Sequence, residues 1–190
     1  MQKEEIEIFP KTEWPKGLKE IPQPPKKLYI RGKLPPLDYH YLCVVGSRKF
    51  SSYGKIVCEM LIEGLRGQKV VIVSGLALGI DSIAHKKALE VGLPNVAVPG
   101  SGLAQSALYP SLHKNLARQI VEKGGCLISE FEPDFKAIAY AFPQRNRIMA
   151  GLSKSILIIE AEKKSGTLIT ARLALDYNRE VLAVPGSILN

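Results

Sequence analysis

The 190-residue sequence predicts a doubly wound α/β fold, in which a mostly parallel sheet carries helices on both faces. Beyond residue 40 the chain alternates between six short apolar runs and segments in which apolar residues have helical spacing. The apolar runs lack polar alternation, so both faces of each strand are expected to be buried, as in parallel sheets. This alternation of strands and helices favours a single layered α/β domain.

The first 27 residues differ in composition from the rest of the chain. They are rich in proline, lysine and glutamate, which predicts an extended N-terminal arm or linker over residues 1–27. The folded domain is expected to span residues 28–190 and to begin with a short strand over residues 28–32.

The six apolar runs predict the strands of the parallel sheet. They cover residues 41–45, 70–74, 95–98, 126–129, 155–160 and 180–184. Helices are expected over residues 55–66, 111–122 and 167–178, and a further helix is expected to begin within residues 141–153. The inward face of the first helix is expected to comprise Ile56, Val57, Met60, Leu61 and Leu65.

The chain carries a formal net charge of +8. This charge indicates a polyanionic partner, although basic surfaces also serve solubility alone. The charged N-terminus shows no secretory signal, and the longest apolar runs are too short to span a bilayer, so a cytoplasmic location without membrane association is expected. The three cysteines form no CxxC pair, which disfavours a zinc site or a disulfide framework and predicts reduced thiols, at least two of them buried.

Small residues follow several predicted strands, at the edge where open α/β sheets bind ligands. The first strand is followed by Gly46, Ser47, Arg48 and Lys49, the second ends in Ser74 and Gly75, and the fifth is followed by Ser165, Gly166 and Thr167. Free backbone N–H groups beside helix starts make this a candidate phosphate-binding edge. Each small residue could instead serve only a tight turn or a helix N-cap. Arg48 differs, because packing does not require a long cation after a Gly-Ser turn.

The segment AFPQRNRIMAGLS, residues 141–153, places two cations at a predicted helix start. Cations are unfavourable there by about 0.3–1 kcal/mol, because the N-terminal end of the helix dipole is positive. A phosphate chain would neutralise Arg145 and Arg147, which flank Asn146, and Phe142 could stack on a base. Alternatively, an arginine pairs with a glutamate and Phe142 belongs to the core. The glutamates considered for such a pair are Glu130 and Glu132.

Several motifs, taken in chain order, resemble those of the DNA-processing protein A (DprA, also called Smf) family. They are GSR (46–48), SGLALGIDSIAH (74–85), YP (109–110), ISE (128–130), FPQRNRIMAGLS (142–153), SGTLITA (165–171) and AVPG (183–186). The resemblance implies an extended Rossmann-like fold that binds single-stranded DNA and forms a homodimer. It also implies protection of incoming DNA and loading of the RecA recombinase during natural transformation. The DNA contacts that it implies are Arg48, Phe142, Arg145, Asn146 and Arg147.

The resemblance also affects the expected limits of the domain. Members of the family usually continue past the Pro-Gly-Ser segment, so residues 28–190 are expected to be a DNA-binding domain truncated at its C-terminus. Self-association has one supporting hint in the sequence itself. The apolar residues expected near the surface are Ile138, Tyr140 and Leu189.

No catalytic set is recognisable, so the leading hypothesis is a DNA-binding module that is not an enzyme and uses no metal or cofactor. The three histidines lie on separate segments, and neither GxGxxG nor GxxxxGK[ST] occurs. The alternative is a Rossmann-like enzyme acting on nucleoside monophosphates, with the turn at residues 165–167 holding one phosphate. Glu130 and Glu160, which both end predicted strands, leave a paired-carboxylate site open.

Overall fold

The computed structural model describes residues 5–162 and 165–186. Within these residues the strands form one sheet, in the order β1-β2-β6-β5-β4-β3-β7-β8. The strands are β1 (Ile6–Ile8), β2 (Tyr29–Gly32), β3 (His40–Val45), β4 (Val70–Ser74), β5 (Asn95–Ala97), β6 (Cys126–Ser129), β7 (Ser155–Ile158) and β8 (Glu180–Ala183). The strands from β3 to β8 are parallel, whereas β2 pairs antiparallel with both β1 and β6. The mostly parallel α/β fold predicted from the sequence is therefore confirmed.

Helices connect the parallel strands and cover both faces of the sheet. The α-helices are α1 (Lys16–Lys19), α2 (Ser52–Glu63), α3 (Ile80–Val91), α4 (Lys114–Glu122), α5 (Ala141–Leu152) and α6 (Gly166–Asp176). Single 3-10 turns occur at Lys11–Glu13 and Ser111–His113. In the described ranges, no helix combines the length and the hydropathy that crossing a membrane would require.

The core consists of two layers, one on each side of the sheet. Alternate residues of β3 point to opposite faces, as strand geometry requires. Leu42 and Val44 pack with α2 and α3, whereas Cys43 and Val45 pack with α1 and α5. All three cysteines are free and buried, and burial raises the pKa of each thiol, that of Cys58 to about 12. The prediction that at least two of the thiols are buried is therefore confirmed.

The N-terminal segment differs from the predicted arm over residues 1–27, because its described part is folded into the domain. β1 adds a strand to the sheet, and Trp14 and Leu18 are buried in the same core as α5. The indole N–H of Trp14 donates to the carbonyl oxygen of Phe9 at 2.9 Å. Two of the prolines stand directly before helical turns, where proline is tolerated. The composition suggested a linker because the apolar anchors are spread widely among charged residues.

Helix α2 buries a different stripe from the one predicted. Val57, Cys58 and Ile62 are buried against α3, whereas Ile56 and Met60 are exposed. The sequence contains two overlapping apolar stripes on this helix, and Val57 belongs to both. Periodicity alone does not determine which stripe meets the neighbouring helix, so the predicted face was wrong at Ile56, Met60 and Leu61, which is also exposed.

Candidate nucleic-acid interface

A pocket of about 500 Å³ opens at the carboxyl ends of β3 and β7. These strands are neighbours, but the chain continues from β3 to β4 on one side and from β7 to β8 on the other. Open α/β sheets bind their ligands at such switch points. The pocket is lined by the turn after β3, the turn between β4 and α3, the start of α5 and the start of α6.

The turn after β3 is fixed by backbone hydrogen bonds to two neighbouring segments. The N–H group of Ser47 donates to the carbonyl oxygen of Glu160 at 2.8 Å. The carbonyl oxygen of Ser47 accepts from the N–H group of Ile80 at 3.2 Å. Gly46 allows this close approach, because a Cβ at that position would lie 2.6 Å from the Ile80 side chain. The turn is therefore a rigid platform for the residues that follow it.

Arg48 and Lys49 follow this turn, and both side chains are exposed. The guanidinium carbon of Arg48 lies 5.1 Å from the centroid of the Phe142 ring. The Phe142 centroid lies 5.7 Å from that of Tyr109, and the two ring planes are tilted by 56°. Gly100 makes room for this arrangement, since a Cβ there would lie 2.7 Å from the Phe142 ring. The mouth of the pocket therefore joins an exposed cation to two aromatic rings.

The start of α6 forms the opposite wall of the pocket. The hydroxyl of Ser165, just before the helix, is buried and has no hydrogen-bond partner among the described residues. Thr167 in the first turn is buried, and the side-chain amide of Asn146 donates to the carbonyl oxygen of Gly166 at 3.3 Å. The first N–H groups of an α-helix have no partner within the helix. This wall therefore presents backbone donors and the positive end of a helix dipole to the pocket.

Arg145 contributes to the pocket from inside the protein, with only 4% of its surface exposed. Its guanidinium donates to the carbonyl oxygen of Val98 and interacts with the buried carboxylate of Asp81. That carboxylate accepts from the N–H groups of Gly75 at 3.1 Å and Ala77 at 3.4 Å. Burial raises the pKa of the Asp81 carboxyl, and the charge of Arg145 together with these N–H groups opposes the rise. A Cβ at residue 75 would overlap the guanidinium of Arg145, so Gly75 provides the space that this guanidinium occupies.

Two of the predicted ligands have partners inside the fold. Arg147 donates to the carboxylate of Glu130, and the two side chains are 13% and 9% exposed. Arg147 does not line the pocket. Ser74 is fully buried, and its hydroxyl donates to the carbonyl oxygen of Val44 at 2.7 Å. For Arg147 the structure therefore contains the ion pair with Glu130 that the sequence left open as an alternative to DNA binding.

The two carboxylates considered for a catalytic pair do not meet. Glu130 follows β6 and Glu160 follows β7, and three strands separate β6 from β7 in the sheet. The Glu160 carboxylate instead accepts from the N–H and hydroxyl groups of Ser51, both at 3.0 Å. It therefore stabilises the start of α2.

The three histidines also have structural partners. His40 lies 2.7 Å from the Ser155 hydroxyl, His85 lies 2.8 Å from the side-chain oxygen of Asn95, and His113 lies 2.7 Å from the carbonyl oxygen of Leu76. Within residues 5–162 and 165–186, no group of three or more His, Cys, Asp or Glu side chains could hold a metal ion.

Sequence reasoning missed two residues of this site. Tyr109 reaches Phe142 from the loop after β5, a segment that shows no periodicity. Asp81 was not among the predicted site residues, although its buried carboxylate lines the pocket and interacts electrostatically with Arg145. The available signal for Asp81 was a carboxylate in the first turn of a helix that follows a Gly-containing turn. For Tyr109, the Tyr-Pro pair in a loop gave only a weak sequence signal.

Comparison with known proteins gives the family of the chain. A family model described as DNA recombination-mediator protein A matches residues 5–190. Protein Smf of Escherichia coli (strain K12) is 48% identical over 166 residues, which cover 87% of this chain and 44% of that protein. DNA processing protein DprA of Streptococcus pneumoniae (strain ATCC BAA-255 / R6) is 41% identical over 177 residues, which cover 93% of this chain and 61% of that protein. The chain thus spans about half the length of these curated relatives.

Solved structures agree with these relatives. DNA processing protein A from Streptococcus pneumoniae matches with a TM-score of 0.86 at 38% identity. The match covers 100% of this chain and 65% of that chain. DNA processing protein A from Helicobacter pylori, described with a single-stranded DNA binding mode, matches with a TM-score of 0.86 at 31% identity. The match covers 97% of this chain and 82% of that chain. The resemblance seen in the sequence is confirmed: the chain belongs to the DNA recombination-mediator protein A family, that of the DprA and Smf proteins.

Proposed function

We propose that this chain binds single-stranded DNA at the pocket between β3 and β7. A backbone phosphate lies between the turn bearing Arg48 and the start of α6, and a base lies beside Phe142. The observation that carries the proposal is the position of the Arg48 guanidinium over the Phe142 ring, at the mouth of a pocket whose far wall is a helix N-terminus. In the part of the chain that the structure describes, neither Arg48 nor Lys49 forms an ion pair, so both charges are available to a polyanion.

The predicted site residues divide into ligands and supports under this proposal. The residues that contact DNA are Arg48, Lys49, Phe142, Asn146, Ser165, Gly166 and Thr167. The residues that shape the site are Gly46, Ser47, Gly75 and Arg145, because their contacts are made within the protein. Ser74 and Arg147 are assigned to the scaffold for the same reason.

Binding is proposed to be largely independent of base sequence. The pocket offers backbone N–H groups, hydroxyls and cations, which suit phosphates, and an aromatic face, which suits any base. The Helicobacter pylori relative, described as binding single-stranded DNA, shares the fold of this chain at 31% identity.

The activity of the whole protein extends this proposal. A protein containing this chain is proposed to act in the cytoplasm, to form a homodimer, to protect incoming DNA and to load the RecA recombinase onto it. Family membership supports these roles. Ile138 and Tyr140 are exposed, as a self-association surface would require, whereas Leu189 lies outside the described residues.

The proposed function is tested by titrating the protein with single- and double-stranded oligonucleotides of equal length across a salt series. Single strands should bind more tightly, and the logarithm of the association constant should fall with the logarithm of salt concentration by about 0.7 per phosphate neutralised. A flat salt response, or a preference for the duplex, would contradict the proposal.

Phe142→Leu tests the aromatic part of the site. Leucine keeps most of the packing against Gly100 but removes the π face, so affinity for single strands should fall by about 1–3 kcal/mol. The melting temperature should change little, because Phe142 is only half-buried. A large loss of stability with unchanged affinity would instead make Phe142 a core residue.

The enzyme alternative now depends on Glu162, an exposed carboxylate on the pocket rim. A nucleoside monophosphate could place its phosphate at the start of α6 and its ribose near this side chain. The two functions differ in one measurement, since an enzyme of this kind would bind a mononucleotide as tightly as an oligonucleotide and release its base. Incubation with each nucleoside monophosphate, followed by chromatography, checks for that product.

A further inference from the structure

A second, shallow depression lies beside the main pocket and shares Arg48, Phe142 and Arg145 with it. Its remaining walls are the turn between β4 and α3 and the loop after β5. These segments contribute Gly75, Ala77 and Leu78 from the turn, and Tyr109 and Pro110 from the loop. The two large exposed side chains among them are Leu78 and Tyr109. The depression encloses only about 20 Å³, so it is a surface on which a flat group can lie rather than a cavity that could enclose one.

Leu78 and Tyr109 are exposed apolar side chains beside this depression. Leu78 is 42% exposed and Tyr109 is 46% exposed, whereas their neighbours Leu76 and Leu108 are buried. The Tyr109 hydroxyl has no hydrogen-bond partner among the described residues. An aromatic and an aliphatic side chain are thus presented side by side to solvent, next to a site that carries exposed positive charge.

The two side chains are held in place by rigid backbone. The N–H group of Tyr109 donates to the Ser101 hydroxyl at 3.1 Å, and Ser101 is fully buried. Leu78 precedes Gly79, a residue with a φ of 84° whose position leaves no room for a Cβ against the turn that bears Arg48. The surface therefore needs little ordering before it binds, which limits the entropic cost of binding.

The rings of Tyr109 and Phe142 cannot stack on the same base. Their planes are tilted by 56° with centroids 5.7 Å apart, whereas one flat base needs parallel faces. One face of Phe142 also lies under the Arg48 guanidinium. A base beside Phe142 and a base on Tyr109 must therefore belong to different nucleotides.

We propose that Leu78 and Tyr109 form a second nucleobase subsite, which holds the base next along the strand from the one beside Phe142. This inference rests on the proposed function, and it adds a subsite to it. The base stacks on the Tyr109 ring and contacts Leu78 at its edge, while Arg48 lies between the two nucleotides and neutralises the phosphate that joins them. Stacking of this kind accepts all four bases, since each has a π face.

The test is binding of an oligothymidylate of about six nucleotides by the wild type, Tyr109→Leu and Tyr109→Phe. Tyr109→Leu should weaken binding by about 5- to 10-fold, the lower end of the range for a stacking platform, and Tyr109→Phe should bind like the wild type. The matched control is Tyr39→Leu, at the opposite edge of the sheet, which should leave affinity unchanged. Melting curves establish that each variant is folded, and Leu78→Gln tests the same surface if Tyr109→Leu does not fold.

Oligonucleotides with one abasic position distinguish a base-stacking role of Tyr109 from a purely structural one, because a structural role would not change the loss of affinity that the missing base causes. A single abasic site should weaken wild-type binding most at two adjacent positions, and Tyr109→Leu should remove the penalty at one of them only. If Tyr109→Leu binds like the wild type while Arg48→Ala weakens binding, the subsite is overturned and the proposed function stands. If the wild type does not bind single strands, both are overturned.

Discussion

The arginines around the pocket fall into two groups, those on helix α5 and the one on the turn after β3. The groups differ in whether other residues of the protein compensate their positive charge. Arg145 and Arg147 on α5 are largely buried. Arg147 forms an ion pair with Glu130, whereas Arg145 donates to the carbonyl oxygen of Val98 and lies in the field of the buried Asp81 carboxylate. Arg48, on the turn after β3, is exposed and faces only an aromatic ring. The fold therefore satisfies the charges of Arg145 and Arg147 internally and leaves that of Arg48 exposed, which is why the proposed function assigns DNA contact to Arg48 and a scaffold role to the other two.

The strongest test of this comparison is Arg145→Met, which removes the positive charge that opposes the burial cost of the Asp81 carboxylate and also the hydrogen bond to Val98. The free energy of unfolding should fall by about 3–5 kcal/mol, because the Asp81 carboxylate is left without its compensating charge. Urea unfolding at neutral pH measures this loss. The double variant with Asp81→Asn should recover part of it, since that pair of changes removes both charges. Additive losses would show that the two residues do not act together.

The pH dependence of protein stability tests another buried polar group of the fold, His85, which is fully buried on α3. Burial lowers its pKa to about 4 from an ordinary value of 6.5. The unfolded chain therefore takes up a proton below about pH 6.5, whereas the folded protein takes it up only near pH 4. Stability should be lost progressively as the pH falls through this window, by about 3 kcal/mol in all.

A His85→Gln variant is the control for this pH effect. Urea unfolding at several pH values should show a flatter dependence for the variant than for the wild type between pH 6.5 and 4. Carboxyl groups titrate in both proteins, so the difference between the two curves isolates the histidine. Parallel curves would show that His85 does not titrate differently in the folded and unfolded states.

Arg147→Gln tests the other paired arginine, with a smaller expected effect. It leaves the Glu130 carboxylate without a charged donor, so stability should fall by about 2 kcal/mol. Affinity for single-stranded DNA should not change, because Arg147 does not line the pocket. Melting curves and oligonucleotide titrations check both parts. Weaker DNA binding with unchanged stability would place Arg147 among the ligands after all.

Arg48→Ala should give the smallest free-energy change and the opposite pattern. The melting temperature should stay the same, and affinity for single strands should fall by about 1 kcal/mol at low salt. The slope of the salt dependence should become less steep by about 0.7, corresponding to one lost phosphate contact. Arg66→Ala is the matched control, since Arg66 is an exposed arginine before β4, at the opposite edge of the sheet. Equal losses for the two variants would mean that only overall charge matters.

Local patterns in the sequence predicted the parallel strands and the sheet edge at which the candidate pocket opens. The runs at residues 70–74 and 126–129 are continuous and apolar, and the structure has strands with those bounds. The turns at residues 46–49 and 165–167 were found because glycine and serine follow a strand directly. These features depend on neighbours in the chain, which a sequence displays.

Local sequence patterns could not predict the residues that surround the buried arginines. Asp81 lies 64 positions before Arg145 in the chain, and only the packing of α3 and α5 around the end of β4 brings the two together. Tyr109 was missed for the same reason, since a loop without periodicity carries it to Phe142. Trp14 and Leu18 likewise could not be predicted as core residues, because the core that buries them is formed by residues much later in the chain.

The antiparallel pairing of β2 with β6 sets an order of events during protein synthesis. Tyr29 lies opposite Ser129, so roughly 100 residues must leave the ribosome before β2 has both of its neighbours. At about 5–20 residues per second, this takes about 5–20 s. Until then β1 and β2 form at most a two-stranded ribbon, which is marginally stable in water, and Trp14 lacks its packing partners on α5. We expect the N-terminal segment of stalled nascent chains to be cleaved by protease until β6 has emerged, and to become protected afterwards.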